Sequence, residues 1–71
     1  MIFELRLHDT DKLVHCYPAE DTALAFVRDV VRIAGRDQAA RFSLEECDER
    51  GERRIVAAGA LLVQRALEDR A

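Results

Sequence analysis

Apolar and polar residues in this 71-residue chain follow two periods, and the switches between them mark out its elements. Met1 to His8 alternates, with Phe3, Leu5 and Leu7 on one side and Glu4, Arg6 and His8 on the other. Period two predicts a strand with one buried face. Asp9-Thr10-Asp11-Lys12 is a polar break suited to a short hairpin loop. Residues 13–17, rich in β-formers, predict a second strand. Its register is open to a slip of one residue, which would reverse the role of every side chain. The preferred register turns Val14 and Cys16 inward against Leu7 and Leu5. It places Leu13, His15 and Tyr17 on the polar face and keeps His15 in water.

The period then lengthens to that of a helix. In residues 21–35, DTALAFVRDVVRIAG, each residue advances about 100° around the axis. Ala23, Leu24, Phe26, Val27, Val30, Val31, Ile33 and Ala34 fall on one half; Ala25, Arg28, Asp29 and Arg32 take the other. Asp21 is the expected N-cap and Gly35 the expected terminator. The β-branched residues are mediocre helix formers, so burial of the apolar half must supply the stability.

A polar linker, Arg36-Asp37-Gln38, leads to a third strand over residues 41–47, with Phe42 and Leu44 inward. Asp48-Glu49-Arg50-Gly51 is a strong turn signal, and residues 53–58 follow as a fourth strand. With that turn as the loop, Leu44 faces Ile55, Phe42 faces Ala57, Glu45 faces Arg54 and Glu46 faces Arg53. Opposite charges across the ladder favour this pairing. Residues 59–70 predict a second helix with Leu62, Val63, Ala66 and Leu67 on one face. Leu61 falls on its polar side. The fold class expected is α+β: an antiparallel sheet of up to four strands in ββαββα order, with the central helix packed on one sheet face. Residues 1–71 are expected to form a single small domain.

Composition narrows the function classes. A chain this short has a small core, and self-association is one common remedy for marginal stability. The net charge of −3 gives no general attraction to nucleic acid or anionic membrane. Ten of the eleven basic residues are arginine, Lys12 being the exception. No stretch has the length and apolarity of a signal peptide or a membrane span, which leads to the expectation of a cytoplasmic protein without membrane contact. Cys16 and Cys47 are expected to be thiols there.

Candidate chemistry is sparse. In the preferred register His8 and His15 share a face, but two histidines are too few for zinc, and Cys16 points away from them. No cysteine–histidine–acid set is specified, so both thiols read as small buried or half-buried groups. Glu45 and Glu46 each have an arginine opposite and read as structural. Glycines 35, 51 and 59 stand singly, which excludes a phosphate-cradling loop. Arg28, Arg32 and Arg36, spaced by four, form a possible nucleic-acid contact line on one helix edge. The simpler reading is cations complementing the helix C-terminus, with Asp29 and Arg32 as a local ion pair.

The stretch RFSLEECDERGERRIVAAGALLVQRALED resembles the end of a double-stranded-RNA-binding domain in its strand–turn–strand–helix layout. That family opens its last helix with a lysine cluster. Gly59, Ala60 and Leu61 stand there instead, so the activity does not carry over. The expected function is therefore a small non-enzymatic protein–protein interaction module, self-associating as a homodimer, with no cofactor, no catalytic residue and no metal site. Leu61 and Tyr17 are its possible protein interface, and a further protein partner is allowed for. The alternative is a nucleic-acid-binding accessory protein using Arg28, Arg32 and Arg36.

Overall fold

A computed structural model describes residues 1–68. The chain runs β1 (Ile2–Leu7), β2 (Leu13–Tyr17), α1 (Glu20–Ala34), α2 (Arg36–Ala39), β3 (Phe42–Cys47), β4 (Arg53–Ala58) and α3 (Ala60–Glu68). The predicted extension of the last helix to residue 70 lies outside the described residues beyond Glu68. All strand pairs are antiparallel, and the sheet order is β2-β1-β3-β4. The two hairpins thus sit side by side with β1 and β3 at the centre, in the expected α+β class.

Strand alternation builds the core. Phe3, Leu5 and Leu44 turn to one sheet face. There they meet Ala23, Leu24 and Val27 of α1, Ala39 of α2, and Leu62, Val63 and Ala66 of α3 in one buried cluster. α1 lies over β1 and β2, α3 lies over β3 and β4, and the two helices touch each other. Arg28 Nη1 donates to the Ala66 carbonyl at 3.0 Å, and Arg65 holds Glu20 with contacts of 3.0 and 2.6 Å. These bonds tie α1 to α3 above the sheet.

The central helix departs from its pattern at both ends. Its N-cap is Ala19, not Asp21. Asp21 instead sits in the first turn, where its charge favours the helix dipole, and its carboxylate accepts from the adjacent Thr22 N–H. At the other end, Ile33 is 76% exposed although it belongs to the apolar half. On the apolar half, burial falls from complete at Ala23, Leu24 and Val27 to partial at Val30 and Val31, and residues 32–34 are exposed. A 15-residue helix is about 22 Å long and outruns the core beneath it. Gly35 ends it at φ 93°, its N–H bonded to the Val31 carbonyl. The expected polar linker is a helical turn, α2. The Gly35 carbonyl accepts from Ala39 N–H, and Ala39 is anchored in the core.

Both hairpins form, each in a different register from the expected one. In the first, Phe3 pairs with Tyr17, Glu4 with Cys16 and Leu5 with His15, so Tyr17 and His15 take the core side and Cys16 the other. The Tyr17 ring has apolar partners there: Phe26 lies 6.3 Å away, and Phe26 in turn meets Phe42 at 5.9 Å. An aromatic ring buries far more area than a thiol, which decides the slip. Beyond Leu5 the register shifts, Arg6 pairs with Leu13, and Val14 is left as a bulge.

In the second hairpin, Cys47 pairs with Arg53, Glu46 with Arg54 and Glu45 with Ile55; past a bulge at Val56, Leu44 pairs with Ala57 and Ser43 with Ala58. The loop is one residue longer than the turn signal implies. Asp48 Oδ1 accepts from the N–H groups of Arg50 and Glu52, both at 2.9 Å, and wraps the chain around itself. Gly51 supplies the left-handed residue at φ 81°. Ile55 therefore turns away from the core, where the expected register placed it inward against Leu44.

Candidate interaction surface

The face of the sheet opposite the helices is built from the alternate residues of each strand. Two adjacent rows cross it. One reads Cys16–Glu4–Glu45–Ile55 from β2 to β4; the next reads Leu13–Arg6–Ser43–Ala58. The core residues lie in a single cluster on the helix side, so this face carries no layer of its own among the described residues. Its margins carry exposed Ile2, Leu13 and Ile55, the last 65% exposed, with the half-exposed cation Arg53 on β4 beside them.

At its centre two carboxylates are forced together. Glu4 and Glu45 are directly opposed across β1 and β3, a repulsive arrangement by itself. Arg6, two residues along the same strand, resolves it. Its Nε and Nη2 donate to Glu4 Oε1 at 3.2 and 2.7 Å, and its Nε lies 3.8 Å from Glu45 Oε2. Arg53 adds a second cation 3.6 Å from Glu4. The side chains of Arg6, Glu4 and Glu45 are only 12–16% exposed although no helix covers them.

The electrostatics follow from this contact geometry. Hydrogen bonding from Arg6 holds the Glu4 carboxyl below its usual range, against an opposing push from burial. Glu4 in turn holds the Arg6 guanidinium above its ordinary value. Burial, with Glu4 nearby, pushes the Cys47 thiol up. A carboxylate locked in its ionised form accepts hydrogen bonds and holds cations, but it is a poor proton donor near neutrality. A thiol pushed up is a poor nucleophile. The chemistry on offer is charge pairing flanked by apolar surface.

The residues singled out from the sequence are dispersed. Arg28 is engaged with α3 at the Ala66 carbonyl. Arg32 is exposed and pairs with Asp29 at 3.1 Å. Arg36 lies beyond the break at Gly35, on α2, so the three do not form one continuous helix edge. Leu61 is 69% exposed on α3, and Tyr17 is half-buried against Phe26. They sit toward opposite edges of the sheet. His15 stacks edge-on to Tyr17 at 4.7 Å, and His8 lies past the end of β1, its N–H bonded to the Arg41 carbonyl. Among the described residues no group of three or more His, Cys, Asp or Glu is placed to hold a metal ion, and Cys16 and Cys47 are unbridged.

An open groove of about 520 Å³ lies between α2 and α3. Ala40, Val63 and Leu67 line it beneath Arg36, Asp37 and Glu68. Among the described residues, no helix is long and apolar enough to cross a membrane.

The bare-face rows went unread in the sequence. The alternation of β1 marks Glu4 and Arg6 as a polar side, but the expected register turns Ile55 inward and hides this margin. The signal available was the run Arg53-Arg54-Ile55, whose flanking charges suit an exposed edge strand. No family model, curated protein or solved structure matches the chain.

Proposed function

We propose that this chain is a non-enzymatic protein–protein interaction module that self-associates in the cytoplasm. The observation that carries the reading is the uncovered sheet face with exposed Ile2, Leu13 and Ile55 at its margin. Single exposed apolar residues are ordinary, whereas several on one open layer mark a contact surface. The core also supports it. Ten buried apolar residues among those described, four of them the alanines and valines of α1 and α3, give a modest driving force for a lone protomer. A charge network that is satisfied within the chain can be covered without leaving an unpaired ion.

Sedimentation equilibrium over about 1 to 100 µM tests this. The expected result is a mass that rises with concentration from 8.1 kDa toward twice that value. A mass fixed at 8.1 kDa over the whole range overturns self-association.

A further inference from the structure

We propose that the occupant of the bare sheet face is a second copy of this chain, stacked face to face about a two-fold axis that runs across the strands between the Glu4 row and the Arg6 row. The inference rests on the self-association reading and names the surface and symmetry that would produce it.

Three observations point to it. The first is the match between the two rows. A two-fold axis between them lays each row over the other row of the second copy, so that each contact occurs twice. Cys16 then faces Leu13, Glu4 faces Arg6, Glu45 faces the small Ser43, and Ile55 faces Ala58. Apolar positions meet apolar ones at both margins. Opposite charges meet at the centre, where the Arg6–Glu4 pair of one copy closes a four-membered ionic ring with that of the other. Sheets stack about 10 Å apart, a distance that side chains as long as arginine and glutamate bridge from both sides. A slip of one row would set Glu4 over Glu4 and Glu45 over Glu45, so the charges also select the register.

The second observation is the state of the edges. Val14 bulges from β2 and Val56 from β4, and these are the two outer strands. A bulge interrupts the ladder and twists the strand away from any added neighbour. Edge-to-edge pairing is therefore disfavoured at both sides, so of the sheet's own surfaces the bare face is the one left to pair.

The third is charge balance. Glu4 and Glu45 stand against Arg6 and Arg53, so the face exerts no net pull on a strongly acidic or basic partner and no net repulsion on its own copy.

The test combines two variants with a measurement on the unaltered protein. Ile55→Asp places a carboxylate at each margin of the proposed interface while leaving an exposed position of the protomer, and should raise the dimer dissociation constant by about a hundredfold or more. Leu61→Asp, on α3, should leave it unchanged. In the wild type, the rate at which maleimide modifies Cys16 should fall as protein concentration rises through the dimerisation range, a readout independent of how either variant folds. A dimer that persists in Ile55→Asp, with Cys16 reacting at the same rate at every concentration, overturns this surface but leaves self-association standing. A dimer lost in Leu61→Asp and kept in Ile55→Asp moves the contact to the helix side and overturns it as well. A monomer at all concentrations overturns both readings.

Discussion

Leu24 and Ile33 occupy the same apolar half of one helix, yet truncating them should have very different consequences. Leu24 is 1% exposed and contacts the sheet; Ile33 is 76% exposed in the final turn. Removing a fully buried leucine side chain to the β-carbon costs about 3 kcal/mol, the lost transfer term plus the cavity left behind. At about 0.05–0.15 kcal/mol per residue, 71 residues hold together by only about 4–11 kcal/mol, so Leu24→Ala removes roughly a quarter or more of the total. The unfolding entropy of such a chain is about 0.15 kcal/mol per kelvin, which converts the loss into a melting temperature lower by about 20 °C. Ile33→Ala removes little buried area and gains slightly in helix propensity, so its effect should stay within about 0.5 kcal/mol, or about 3 °C. Far-UV circular dichroism during heating and urea titration, at one fixed protein concentration, measures both. Equal urea slopes for the two variants and the wild type confirm that the same unfolding is being compared. A loss above about 2 kcal/mol for Ile33→Ala would refute the placement of the last turn of α1 in solvent.

Two further expectations follow from particular contacts. Asp48→Ala removes the acceptor for the Arg50 and Glu52 N–H groups and should cost about 1 kcal/mol in urea unfolding, with Asp48→Asn recovering most of it; indistinguishable midpoints for all three proteins would show that the carboxylate does not hold the loop. The Glu4 carboxyl lies below its ordinary value of 4.5 in the folded chain, so the unfolded chain binds its proton first as pH falls. The stability it contributes is present above the unfolded value and disappears as pH drops through the folded one. Glu4→Gln should therefore flatten the acid limb of the stability profile, and parallel profiles between pH 6 and 2, on the order of the carboxylate range, would count against the Arg6–Glu4 bond as its cause.

Local pattern alone determined the four strands and the two longer helices of this protein, though not the helical turn α2. Alternation in residues 2–7 and the 3.6-residue period in residues 23–31 report which side of a strand or helix is oily, and that is a property of neighbours in sequence. The order ββαββα, the helix on one sheet face and the position of Leu61 outside the core were all legible for that reason. Registers were decided only in three dimensions. Tyr17 turned inward because Phe26, on another element, offered its ring a partner, and Ile55 turned outward because Asp48 lengthened a loop and Val56 bulged. A one-residue slip costs nothing that a strand can sense alone, since its side chains merely exchange faces; only the packing of distant side chains tells the alternatives apart. The bare face exists through the same long-range choice, as do the opposed Glu4 and Glu45 with Arg6 between them. Two carboxylates 41 residues apart in the chain become neighbours only when β1 and β3 pair, and no window along the sequence contains both.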